Sequence, residues 1–168
     1  MKKVFGILAL LAIVACNQDK IGYVDNVKMM EAYQEKIDVE AKYQAKLDKI
    51  RKKGDSLSQA FQLELQMLQT KVQNMSQKKA QEEYQLLQQR GQTVGQQLQQ
   101  EEQAAQMEGQ AAMDSLIKKV KGEISEYGKA NGYTYILGGG EGGSVLYGDE
   151  TKNLTDALVK VLNDKYKQ

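Results

Sequence analysis

Apolar residues recur along this chain in three rhythms. The first is an unbroken run, Val4 to Ala15, behind Lys2 and Lys3. It is too short to span a bilayer as a stable helix. A positive start, a short apolar stretch and a small closing residue read as a signal peptide over residues 1–15, which is set aside from fold reasoning. Past a tether at 16–19, "KIGYVDN" (20–26) alternates Ile21, Tyr23 and Asp25 with Gly22, Val24 and Asn26, the period of a short strand. The third rhythm moves in steps of three and four: Leu47, Ile50, Gly54, Leu57, Phe61, Leu65, Leu68, Val72, Met75. That is a coiled-coil seam with one extra four-step, a stutter that locally unwinds a supercoil. A second such stripe runs from Leu87, Gly91, Val94 and Leu98 through Ala105 and Ala112 to Leu116, Val120, Ile124 and Tyr127.

Two long stripes predict a helical hairpin over residues 27–129, each arm about 50 residues or roughly 75 Å long. The polar "NMSQKKAQ" (74–81) marks its tip. Glutamine fills the remaining faces between Gln59 and Gln110, and the preserved seam identifies these as solvated helix faces. Gly54, Gly91, Gly95 and Gly109 lie inside the arms, each at a cost of about 1 kcal/mol relative to alanine. Gly91 and Gly95, a little over one turn apart, suggest a hinge. Gly128 and Gly132, with Lys129 between them, signal the end of the second helix.

Beyond it, Tyr133, Tyr135 and Leu137 alternate with Thr134 and Ile136 as a second strand, and "SVLYG" reads as a third. "NLTDALVKVLNDKY" closes the chain as a helix with Asn153 as N-cap, Asp156 in a weak capping box, and Leu154, Leu158, Val161 and Leu162 on one face. The expected fold is α+β and mostly α. A small three-stranded body, 20–26 and 130–168, carries a C-terminal helix and one long coiled-coil arm. Three strands leave exposed edges, so assembly with other copies is expected.

Composition narrows the chemistry. The chain has 23 basic and 22 acidic residues, no histidine, no proline and one cysteine. Losing residues 1–15 removes two lysines and no acid, leaving 21 against 22, or −1, with no global pull on nucleic acid. The lone Cys16, after "IVA", resembles a lipobox cysteine that is acylated and becomes the first residue. Two or more acyl chains anchor a protein stably to a membrane. Gly138, Gly140 and Gly143 match G-x-G-x-x-G, but strand-like residues follow where a nucleotide site needs a helix, and no lysine occurs between these glycines and Lys152. The glycines read as a hairpin between antiparallel strands. Glu82–Glu83 and Glu101–Glu102 fall on solvated faces. No catalytic residue, metal site or cofactor is expected. Met67, Met75, Met107 and Met113 are the candidate contacts to varied partners, because flexible thioethers re-pack readily.

"KIGYVDNVKMMEAY" resembles the first strand and helix start of the Skp/OmpH family of periplasmic chaperones. "NGYTYILGGGEGGSVLYGDETKNLTDALVKVLNDKY" is similar to the family's closing segment. Tyr133, Ile136 and Leu137 fall on its strand, Val145, Leu146 and Tyr147 on the next, and Leu154, Thr155, Asp156 and Leu158 on its last helix. The resemblance implies a homotrimer with a shared β body, whose interface would draw on Ile21, Tyr23, Val24, Ile136, Leu137, Val145 and Leu146. It also implies a cavity between three helical arms that holds unfolded outer-membrane β-barrel proteins in the periplasm without ATP. Two features depart from the family pattern: the acylation signal and the near-neutral charge. No residue set matches a lipopolysaccharide-binding cluster. The alternative reading is a lipid-anchored coiled-coil spacer or adaptor of the cell envelope.

Overall fold

Ile21–Asp25 forms strand β1 and Tyr135–Gly139 forms β2. In the computed structural model, which describes residues 19–167, they pair in parallel, with Ile21 opposite Tyr135 and Asp25 opposite Gly139. A parallel pair needs a long crossover. Here the crossover is the helical part of the chain: α1 (Asn26–Ala32), α2 (Gln34–Lys71), a 3₁₀ turn (Val72–Asn74) and α3 (Gln77–Ala130). Helix α4 (Thr155–Tyr166) follows β2. The chain divides into two compact units, residues 34–118 and the segments on either side of them.

In the flanking unit, the pleat gives the sheet an inner and an outer face. Gly22, Val24 and Ile136 share the inner one. Val24, Met29, Leu154, Leu158 and Leu162 are buried there. A Cβ on Gly22 would stand 2.4 Å from Leu154 Cδ1, so the missing side chain is what lets this leucine lie on the sheet. Polar bonds fix α4 to β1. The Leu154 amide donates to the Tyr23 carbonyl at 2.8 Å, and the Asp25 amide donates to Thr155 Oγ1 at 2.9 Å. Thr155 in turn donates its own amide and hydroxyl to Asn153 Oδ1. Asn153 therefore sits one residue ahead of the position expected for it: Leu154 is the N-cap, and the asparagine side chain supports Thr155.

Asp25 caps α1 by accepting the Val27 and Lys28 amides at 3.1 Å. The helix breaks at Tyr33, where ψ is 115° although no glycine or proline is present. The break is satisfied from α4: Asn163 Nδ2 donates to the Ala32 carbonyl at 3.1 Å, and the buried Tyr33 ring meets Tyr166 edge-on at 6.5 Å. At the end of α3, Gly132 adopts φ +69°. The Tyr133 amide bonds the Gly128 carbonyl at 2.9 Å and the Gly132 amide bonds that of Lys129 at 3.3 Å. This is a Schellman motif, and the stacked rings of Tyr133 and Tyr127 supply its apolar contact. Of the two glycine stop signals, Gly132 ends the helix. Gly128 lies inside it and leaves room for Ile136, whose Cδ1 would be 3.2 Å from an added Cβ.

The third strand is not formed. Among the described residues the sheet has two strands, with single bridges at its margins: Val145 beside Gly139, and Asn153 beside Tyr23. The physical reason lies in the segment between them. Its Gly148 packs against the Tyr23 ring, where an added Cβ would be 2.4 Å from Cε1, and the Tyr23 hydroxyl donates to the Gly148 carbonyl at 3.3 Å. The chain therefore crosses the outer face of the sheet as a strap, from the β2 margin to the β1 margin. The expected antiparallel hairpin is replaced by this crossing.

In the unit of residues 34–118, α2 and the first part of α3 form an antiparallel hairpin. Met75 and Ser76 separate the 3₁₀ turn from α3, and the Ser76 carbonyl and hydroxyl accept the Ala80 and Lys79 amides. Three ion pairs link the helices: Lys46–Glu108, Lys53–Glu101 and Arg90–Glu64. A seven-residue advance on α2, from Lys46 to Lys53, is matched by seven back on α3. The next advance, to Glu64, is eleven and is again matched. Eleven is the spacing a stutter produces, and it spans the extra four-step of the stripe. Helix α3 runs unbroken through Gly91 and Gly95. A Cβ on Gly91 would lie 2.9 Å from Phe61 Cε2, and one on Gly109 2.7 Å from Tyr43 Cδ2, so these two glycines seat aromatic rings. Gly95 faces open space.

Candidate interaction surfaces

The outer face of the sheet is the first candidate. Ile21 and Tyr23 of β1 share it with Tyr135 and Leu137 of β2. Tyr135 and Leu137 are 58% and 42% exposed, and on the strap Leu146 and Tyr147 are 98% and 90% exposed. A hollow of about 350 Å³ between strap and sheet is lined by Ile21, Tyr23, Leu137, Val145 and Tyr147. Burial, followed by the charges of Glu150 and Asp149, holds the Tyr23 phenol above its usual pKa, and its hydroxyl donates to the Gly148 carbonyl. The seven residues expected at a copy-to-copy contact thus divide. Ile21, Tyr23, Leu137 and Val145 line the hollow on the outer face and Leu146 stands exposed on the strap, whereas Val24 is buried in the chain's own core and the half-buried Ile136 shares its inward face.

The glycine loop joins β2 to this strap. The Gly143 amide bonds the Gly140 carbonyl at 3.0 Å, with Gly142 at φ +77° in the place where a type II turn requires a positive angle. Gly140 is also left-handed, and a Cβ there would be 2.4 Å from Asp25 Oδ1. A carboxylate thus sits against the loop, the wrong sign for cradling a phosphate.

The second candidate lies in the helical hairpin next to its turn. A hollow of about 360 Å³ opens there, and it brings together Met67 and Met75 with Leu68, Leu86 and Leu87. Leu63 and Met67, one turn apart on α2, are 61% and 60% exposed, and Leu86 on α3 is 53% exposed. The rim carries Glu64 and Arg90, paired with each other, together with Lys71 and Glu83. Two of the four methionines singled out by sequence therefore meet. Met107, 68% exposed, and the half-buried Met113 do not join them. Leu63 and Leu86 were missed because they lie off the seam stripe. The available signal was an apolar residue beside a seam position, as Leu86 is beside Leu87.

Cys16 and the 1–15 segment lie outside the described residues. Among the described residues no helix is long and apolar enough to cross a membrane, and no His, Cys, Asp and Glu side chains group as metal ligands would.

A small β body with a long helical hairpin is a narrow fold class, and the comparisons agree with it. The model of the OmpH-like outer membrane protein family matches residues 20–162, and the chain belongs to that family. A crystal structure from Caulobacter crescentus, of an OmpH-like protein assigned as an outer membrane chaperone, superposes with a TM-score of 0.78. It covers 88% of this chain and 85% of its own at 15% identity, a likeness of fold. Comparison with curated protein sequences gives no match.

Proposed function

We propose that this protein is an ATP-independent periplasmic holdase that keeps unfolded outer-membrane β-barrel proteins from aggregating. Membership of the OmpH-like family across nearly all of the described chain is the observation that carries this reading. The related fold of a protein assigned as an outer membrane chaperone supports it. Three copies join through the outer sheet face and the strap, where Leu146 and Tyr147 extend apolar surface into solvent. Clients are held among the helical hairpins of the three copies. Many weak, replaceable apolar contacts would keep a client bound and mobile. No covalent step is involved, and the protein is not an enzyme. Lipidation at Cys16 tethers it to a membrane facing the periplasm.

The test is dilution of a urea-unfolded β-barrel protein into buffer with purified mature protein. Suppressed light scattering at about one trimer per client is the expected result. No suppression at tenfold excess overturns the reading. Small-angle X-ray scattering on the same sample separates a hollow trimer from the solid rod of an envelope spacer.

A further inference from the structure

We infer that the hollow beside the hairpin turn is a discrete subsite for an apolar segment of an unfolded polypeptide, with Met67, Met75 and Leu86 as its contact residues and the exposed Leu63, one turn before Met67 on α2, extending the apolar surface beside it. This rests on the holdase reading above and adds to it a location and a chemistry.

The surface is unusual within its unit. Leu63, Met67 and Leu86 stand beside the seam, more than half exposed, while their neighbours Leu68 and Leu87 are buried in it. Together the three present on the order of 350 Å² of apolar surface, the size of a functional patch on a soluble protein. Helix packing does not account for them, since the seam closes without them.

Size and charge choose the occupant. A stable contact between two copies buries roughly 800 Å² on each, well beyond this patch. A few apolar side chains in an extended segment match it. The hollow, about 360 Å³, is at the small end of ligand pockets and shallow, lined by thioethers and leucines that can re-pack. Its rim holds two acids, Glu64 and Glu83, and two bases, Lys71 and Arg90. Such a rim gives no net attraction to an acidic or a basic partner, so recognition falls to apolar content. That is the selectivity a binder of many unfolded sequences needs.

The experiment uses the full mature protein and one urea-unfolded outer-membrane β-barrel protein as probe. A triple variant, Leu63→Gln, Met67→Gln, Leu86→Gln, changes only exposed side chains. Thermal unfolding within a degree or two of wild type is expected, while half-suppression of client aggregation requires roughly tenfold more protein. Gln103→Ala, on an exposed polar face of α3 outside the hollow, leaves suppression unchanged. A photo-crosslinking residue at position 67 in the otherwise natural chain gives the same answer without depending on the triple variant's folding. It captures client, whereas one at 103 does not. Equal suppression by wild type and triple variant overturns the subsite while leaving the holdase intact. Failure of wild type itself to suppress overturns the holdase reading. Crosslinking from position 67 only to a second copy of this chain overturns the assigned occupant.

Discussion

Gly95 and Gly109 occupy the same long helix and have the same intrinsic cost, yet alanine should affect them in opposite directions. At Gly95 the added methyl meets nothing within 4 Å. The variant Gly95→Ala keeps the full helix-propensity gain, about 0.8–1.0 kcal/mol. At Gly109 the methyl would lie 2.7, 2.9 and 3.2 Å from Cδ2, Cε2 and Cγ of Tyr43. Cγ is the ring's attachment point, so spinning the ring cannot clear it. Either Tyr43 leaves its rotamer or the helices part, a cost of about 1–3 kcal/mol. Subtracting the same propensity gain leaves Gly109→Ala destabilised by roughly 1 kcal/mol. The two variants then differ by about 2 kcal/mol, or some 4–8 °C in Tm for a chain of this size. Thermal unfolding followed by far-UV ellipticity, at matched protein concentration, measures the difference directly. If Gly109→Ala is as stable as Gly95→Ala, the inference that Gly109 is held for ring approach is wrong.

Other outcomes follow from the same contacts. Thr155→Val removes the acceptor of the Asp25 amide and should cost about 1–2 kcal/mol in urea unfolding, whereas Thr155→Ser, which keeps the hydroxyl, should recover most of it. Leu146→Ser with Tyr147→Ser alters only exposed strap residues; on the proposed assembly through the strap, light scattering should show smaller assemblies at unchanged helix content. Glu108 is held below the usual carboxylate value of 4.5, first by its hydrogen bond from Lys46 and then by that ammonium's charge. A depressed carboxylate contributes stability that is present above its unfolded value and lost as pH falls through its folded one. Acidification below about pH 4.5 should therefore loosen the hairpin, and Lys46→Met should flatten that dependence in Tm measured against pH.

Elements set by local periodicity or local chemistry were legible from the sequence. The stripes predicted two antiparallel helices, and the extra four-step between Leu57 and Leu65 reappears as the eleven-residue interval between Lys53 and Glu64. Gly132 announced a helix end because only a left-handed residue closes that motif cheaply. The rest depended on partners far away in sequence. Nothing near Tyr33 breaks a helix; the break exists because α4 satisfies Ala32 and buries the ring. "SVLYG" has the alternation of a strand, but its path is decided by Tyr23 packing on Gly148. The methionines were readable as candidates, whereas which of them share a surface depended on how α2 and α3 come together around the turn.

A two-helix hairpin can bury only one seam, and in residues 34–118 few large side chains are fully withdrawn from water; Leu68, Leu87 and Leu116 are the buried ones. Packing that thin marks register at a few points, where the Phe61 ring seats on Gly91 and the Tyr43 ring on Gly109. The three interhelix ion pairs add to these. Each is solvent-exposed and contributes little on its own, at most about 1 kcal/mol. Their intervals are matched across both helices, however, so a slip would break all three together. Register held by a few ring contacts and ion pairs leaves other leucine and methionine side chains free of structural duty. At Leu63, Met67 and Leu86 those free side chains stay at the surface. In the proposed holdase that exposed apolar surface is what an unfolded chain would meet.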